Sequence, residues 1–120
     1  MKSSPSSLTT RSCKPCTGGI GGTPPLDQQT INCLLRDLNG WEQHAHELVK
    51  TYLFKNYYET MAFVNATACI SHREDHHPEL DVGYRQCRVR YSTHDIGGLS
   101  ENDFICAAKI DALQIEHPAR

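Results

Sequence analysis

Residues 82–93 read Val-Gly-Tyr-Arg-Gln-Cys-Arg-Val-Arg-Tyr-Ser-Thr, and the parity of this stretch decides the fold class. Cys87, Val89 and Tyr91 fall on one side of an extended chain, with Gln86, Arg88 and Arg90 on the other. That is a strand with one buried face and one face toward water. Such a strand needs a second layer on its apolar side. Upstream, Trp41–Phe54 is rich in strand formers and long enough for a hairpin turning near Ala45–Glu47. Downstream, Ile96–Leu99 is the candidate for a fourth, weak strand, because Gly97-Gly98 favours a turn.

Three helical patterns surround these strands. Asp27 is a candidate N-cap for a helix carrying Ile31, Leu34, Leu35 and Leu38, stopped by Asn39-Gly40. A second helix is expected from about residue 56 to about residue 74, with Tyr57, Met61, Val64 and Ala68 as its stripe. Its apolar girth is broad enough to cover the sheet and a further surface. Pro78 ends it and imposes extended backbone. A third helix starts at Ser100, carries Phe104, Ala107, Ala108, Asp111 and Ile115, and closes at Pro118. The order α-β-β-α-β-(β)-α has no βαβ repeat. It predicts an α+β fold, an antiparallel sheet of about four strands with helices packed on one face. Residues 1–25, rich in Ser, Thr, Gly and Pro, read as a flexible tail ahead of a domain spanning 26–120.

A chain of 120 residues supplies one modest core, so a homodimer or homotetramer is expected. The net charge of −2 argues against direct nucleic-acid binding, although Arg85, Arg88 and Arg90 could form a local basic strip. No run is long enough to span a membrane, and no apolar leader marks secretion. The six cysteines are therefore expected to be reduced, in the cytoplasm. Lys2, Arg11 and Lys14 without acidic neighbours faintly resemble an organelle-targeting leader, the alternative location.

The chemistry lies in the histidines. His72, His76 and His77 cluster before Pro78, and His94 follows the long strand. Imidazole exchanges protons near neutral pH, so a group of them suits general acid–base work. Each alone could equally be a solvated side chain near a helix C-terminus. Their spacing is more specific: His72-x3-His76-His77-Pro78, five residues to Tyr84, nine to His94 and eight to Asp103. With Ser92-Thr93-His94-Asp95, Gly97-Gly98-Leu99-Ser100, Trp41 and the leader Cys13-x-x-Cys16-x-Gly18-Gly19, the chain resembles the pterin-4a-carbinolamine dehydratases from about residue 13 onward.

That resemblance implies an enzyme that dehydrates a 4a-hydroxytetrahydropterin to quinonoid dihydropterin, in tetrahydrobiopterin recycling coupled to aromatic amino-acid hydroxylases. It implies His76, His77 and His94 around the 4a carbon, with His77 as principal acid/base and no metal or cofactor. Asp75, Ser92 and Thr93 would contact the pterin. Asp103 would serve the site, although with Ser100 it also reads as a capping box. Two positions depart from the family pattern: His72 replaces a common Glu, and Leu80 replaces a common aromatic, which would alter the rim.

Two other readings compete. His72 and His76 are four apart on a helix, a spacing that can grip zinc, although the intervening residues are not those of a zincin. Some animal members of the family also act as dimerisation cofactors and coactivators of a homeodomain transcription factor through a helix surface, the alternative function. A lone Cys13-x-x-Cys16 has no second pair at zinc-ribbon distance.

Overall fold

A computed structural model describes residues 8–18 and 21–113; Ile115 and Pro118 lie outside the described residues. After α1 (Gln28–Leu35) come β1 (Glu42–His44), β2 (Glu47–Leu53), α2 (Tyr57–Glu74), β3 (Glu79–Val82), β4 (Gln86–Tyr91) and α3 (Glu101–Asp111). The strands form one antiparallel sheet in the spatial order β1-β2-β4-β3. Together with the three helices this is the α+β architecture expected. The parity of β4 holds residue by residue: Cys87, Val89 and Tyr91 are fully buried. Leu48 and Tyr52 of β2 stand opposite Tyr91 and Cys87. They share the core with Phe63 and Ile70 of α2 and Phe104, Ile105 and Ile110 of α3.

Three expectations need correction. The fourth strand is Glu79–Val82 and not Ile96–Leu99. Residues 94–96 form a short 3-10 turn, and only the isolated pair Thr93–Gly98 bridges beyond it. α1 ends at Leu35, short of Asn39-Gly40, in tight turn bonds from Asp37 and Leu38 back to the Leu34 and Leu35 carbonyls. The buried stripe of α2 is Glu59, Thr60, Phe63, Thr67, Ile70 and Glu74, while Tyr57 and Ala68 are exposed. Polar residues hold this face because each finds a partner. The Thr60 hydroxyl donates to the carbonyls of Asn56 and Tyr84, and Thr67 donates to Val64. Of the three arginines of the basic strip, Arg90 pairs with Glu47 at 3.2 Å and Asp81 at 3.3 Å across the outer face of the sheet.

Asp111 joins α3 to the sheet. Its carboxylate accepts from Trp41 Nε1 at 3.0 Å, Lys50 Nζ at 2.9 Å and the Tyr52 hydroxyl. Burial beside this carboxylate pushes the Tyr52 hydroxyl well above its ordinary range. Asp111→Ala strands three donors in a half-buried setting and is expected to cost about 2–4 kcal/mol in urea unfolding. Asp111→Asn, which keeps an acceptor, should lose less. An unchanged midpoint in the Ala variant would refute this account of the junction.

Candidate active site

α2 stops because Asp75 turns left-handed, with φ 52° and ψ 42°. Aspartate is one of the few residues other than glycine that tolerate this conformation. The N–H groups of Asp75 and His76 both return to the Ser71 carbonyl, so His76 and His77 leave the helix axis together. On the other side, β4 ends at Tyr91 and the chain turns through His94–Ile96, closed by the Thr93 N–H donating to the Gly98 carbonyl at 3.0 Å. These two chain reversals face each other across a cavity of about 390 Å³.

The cavity is lined by Asp75, His76, His77, Ser92, Thr93 and His94, six of the eight candidates. Asp103 lies behind them, fully buried. His76 Nε2 contacts Asp103 Oδ1 at 2.7 Å. The other carboxylate oxygen accepts from the Thr93 hydroxyl at 2.8 Å and the Ser100 N–H at 2.9 Å. Ser100 Oγ stands 2.7 Å from Thr93 Oγ1 and completes the chain. With the Asp103 carboxylate as acceptor, Nε2 of His76 is the donor, and Nδ1 is the ring nitrogen left without this partner. The ring also stacks on Tyr91, centroids 5.7 Å apart and planes 9° from parallel. His77 and His94 are exposed and have no side-chain partner among the described residues. One imidazole is thus fixed by a buried carboxylate, and two are free to meet a ligand.

His72 does not line the cavity and lies exposed on the last turn of α2. Leu80 is also absent from the lining and packs against the core from β3. Neither position that departs from the family pattern is among the residues that line this cavity. Among the described residues no three His, Cys, Asp or Glu side chains are grouped as metal ligands would be. None of the helices described is long and apolar enough to cross a membrane.

Sequence reasoning assigns no site role to Lys14, Pro15, Glu74, Asp95 or Asn102, which complete the lining with Cys13 and Cys16. The signal available was Cys13-x-x-Cys16, a motif without an evident task. Glu74 accepts from the Cys13 N–H at 2.9 Å and pairs with Lys109 at 2.6 Å. The Cys13 N–H, and after it Lys109, hold this carboxyl below its ordinary value of 4.5. A lowered folded value means a contribution to stability that is complete above about pH 4.5 and fades as pH falls through that lower value. Glu74→Gln is therefore expected to lose roughly 1–2 kcal/mol at pH 7, with the gap to wild type closing in acid unfolding curves. A gap constant down to pH 3 would contradict it.

The family model described as pterin 4 alpha carbinolamine dehydratase matches residues 24–113. A protein of Nitrosospira multiformis named "Putative pterin-4-alpha-carbinolamine dehydratase" is 61% identical over 106 residues, covering 88% of this chain and 91% of its own. A protein of the same name from Nitrosomonas eutropha is 59% identical over 109 residues, covering 90% of this chain and 94% of its own. Among solved structures, a transcriptional coactivator/pterin dehydratase from Brucella melitensis superposes with a TM-score of 0.71 at 29% identity. That likeness covers 73% of this chain and 96% of the other.

Proposed function

Because the chain belongs to the pterin-4-alpha-carbinolamine dehydratase family, we propose that it removes water from a 4a-hydroxytetrahydropterin by histidine acid–base catalysis. The observation that carries this reading is the Asp103–His76 pair, at 2.7 Å, on a cavity wall shared with His77 and His94. In the reaction the C4a–O bond breaks and its electron pair leaves with the oxygen, which takes a proton from an imidazolium. N5 gives its proton to a neutral imidazole, and the freed pair closes the C4a=N5 bond of the quinonoid product. Only proton transfers are needed, so no metal or cofactor is part of the proposal.

His77, unencumbered, is the principal acid/base, and His94 is its complement. His76 is the third imidazole, held in one tautomer by Asp103. Asp75, Ser92 and Thr93 supply polar contacts to the pterin edge. Tetrahydrobiopterin recycling after an aromatic amino-acid hydroxylase belongs to the same proposal, as do a cytoplasmic location and a homodimer or homotetramer. The coactivator alternative rests on the outward surface of α2 alone, and no feature of the cavity favours it. The test follows the decay of freshly generated 4a-hydroxytetrahydropterin by absorbance, with and without protein. Catalytic acceleration is expected, and its absence in wild type sinks the reading.

A further inference from the structure

Residues 8–18 precede the stretch matched by the family model, 24–113, yet four of them line the cavity: Cys13, Lys14, Pro15 and Cys16. This segment, rich in turn formers, is fastened to the domain at several points. Leu8 is fully buried in the core. Arg11 Nη1 donates to Glu101 at 2.8 Å, and the Cys13 N–H donates to Glu74 at 2.9 Å. Cys13 Sγ lies 3.5 Å from the buried Cys106 Sγ of α3. The side chain of Asn102 grips Lys14 from both sides. Its Oδ1 accepts the Lys14 N–H at 3.0 Å, and its Nδ2 donates to the Lys14 carbonyl at 2.6 Å.

The far end of the segment crosses to the opposite side of the cavity. At Gly18 an added Cβ would come within 1.9 Å of the Asp95 carbonyl oxygen, next to His94. Only glycine permits that approach. The segment therefore runs from α3, at Asn102, to the turn that carries His94, and residues 13–16 lie along the cavity between these fastenings.

We infer that residues 13–16 form a wall of the pterin cavity and that Asn102 is the positioning residue that hangs this wall in place, setting substrate affinity apart from the proton transfers. The inference rests on the dehydratase reading. Pockets for small ligands cover most of the ligand surface, so loss of a wall removes contacts made equally in ground and transition states. Such a loss raises KM and leaves kcat in place.

Asn102→Ala cuts the grip on Lys14 at one end, and Gly18→Ala pushes the strap off Asp95 at the other. Each variant is measured for turnover, for calorimetric binding of unreactive 7,8-dihydrobiopterin, and for hydrogen exchange at the Lys14 amide. Expected in both are a Kd and KM raised about tenfold, as loss of roughly 1.4 kcal/mol of contact would give, and a kcat within twofold. The Lys14 amide should exchange faster in Asn102→Ala. Faster exchange with unchanged Kd would show a strap irrelevant to binding, and unchanged exchange would remove Asn102 from its role; either overturns the inference. Should Asn102→Ala unfold, Gly18→Ala decides through its Kd. Wild type that neither binds the probe nor accelerates dehydration instead sinks the dehydratase reading itself.

Discussion

Replacing His77 with Ala is expected to lower kcat by about 10²–10³-fold, the share that general acid–base catalysis supplies. The same change should move unfolding stability by less than about 0.5 kcal/mol, because an exposed side chain without structural partners contributes little to the fold. The two readouts together make the prediction sharp. His77 lines the cavity and has no side-chain partner among the described residues, so a loss of rate cannot be passed on through a damaged core. Parallel measurements of dehydration and urea unfolding on one preparation check it. A variant that keeps more than half of the wild-type kcat would remove His77 from its role and pass the principal proton transfer to His94 or His76.

Asp103→Asn should separate orientation from stability at the neighbouring imidazole. The Thr93 hydroxyl and the Ser100 N–H both donate to Oδ2, so a substituted amide must keep its oxygen there. Its NH₂ then faces His76 Nε2, which must accept, and the ring is driven into the opposite tautomer. The expected result is a kcat lowered about 10–100-fold with a stability loss near 1 kcal/mol, since the cap survives. Asp103→Ala removes the cap acceptor as well and should cost about 3 kcal/mol. Nitrogen-15 shifts of the His76 ring would report the tautomer directly. An Asn variant with wild-type kcat would mean that Asp103 serves only the start of α3.

How far the sequence revealed all this depended on what kind of signal each element leaves. β4 was legible because apolar and polar residues alternate through Cys87–Tyr91, and the pleat converts that alternation into two faces. The end of α2 was legible because Pro78 follows it, and its start is fixed by the Asn56 side chain, which accepts from the Glu59 N–H. Its buried face was not, because Glu59, Thr60, Thr67 and Glu74 are hidden there. Burial of such residues depends on partners from other elements, and hydropathy does not record those. β3 escaped because Glu79 and Asp81 are strand-poor residues on an edge, held by pairing with β4. Within the site, His76, His77 and His94 were legible from spacing, since one helix end and one strand end bring them together. The strap was not. Where it lines the cavity it is held by main-chain groups of Cys13 and Lys14, and a main-chain hydrogen bond leaves no mark on the identity of the residue that makes it.

Trp41 has a further use that follows from its position. It is the single tryptophan of the chain, 6% exposed, with its ring 6.2 Å from both Tyr52 and Tyr91 and its N–H on Asp111. The protein therefore carries an intrinsic fluorophore at the seam between sheet and third helix, and the indole is not among the residues that line the cavity. Emission from that indole reads the integrity of the seam in the same cuvette where a pterin's own absorbance reads turnover. Every variant discussed above can thus be sorted, in one optical experiment, into those that dull the chemistry and those that loosen the scaffold.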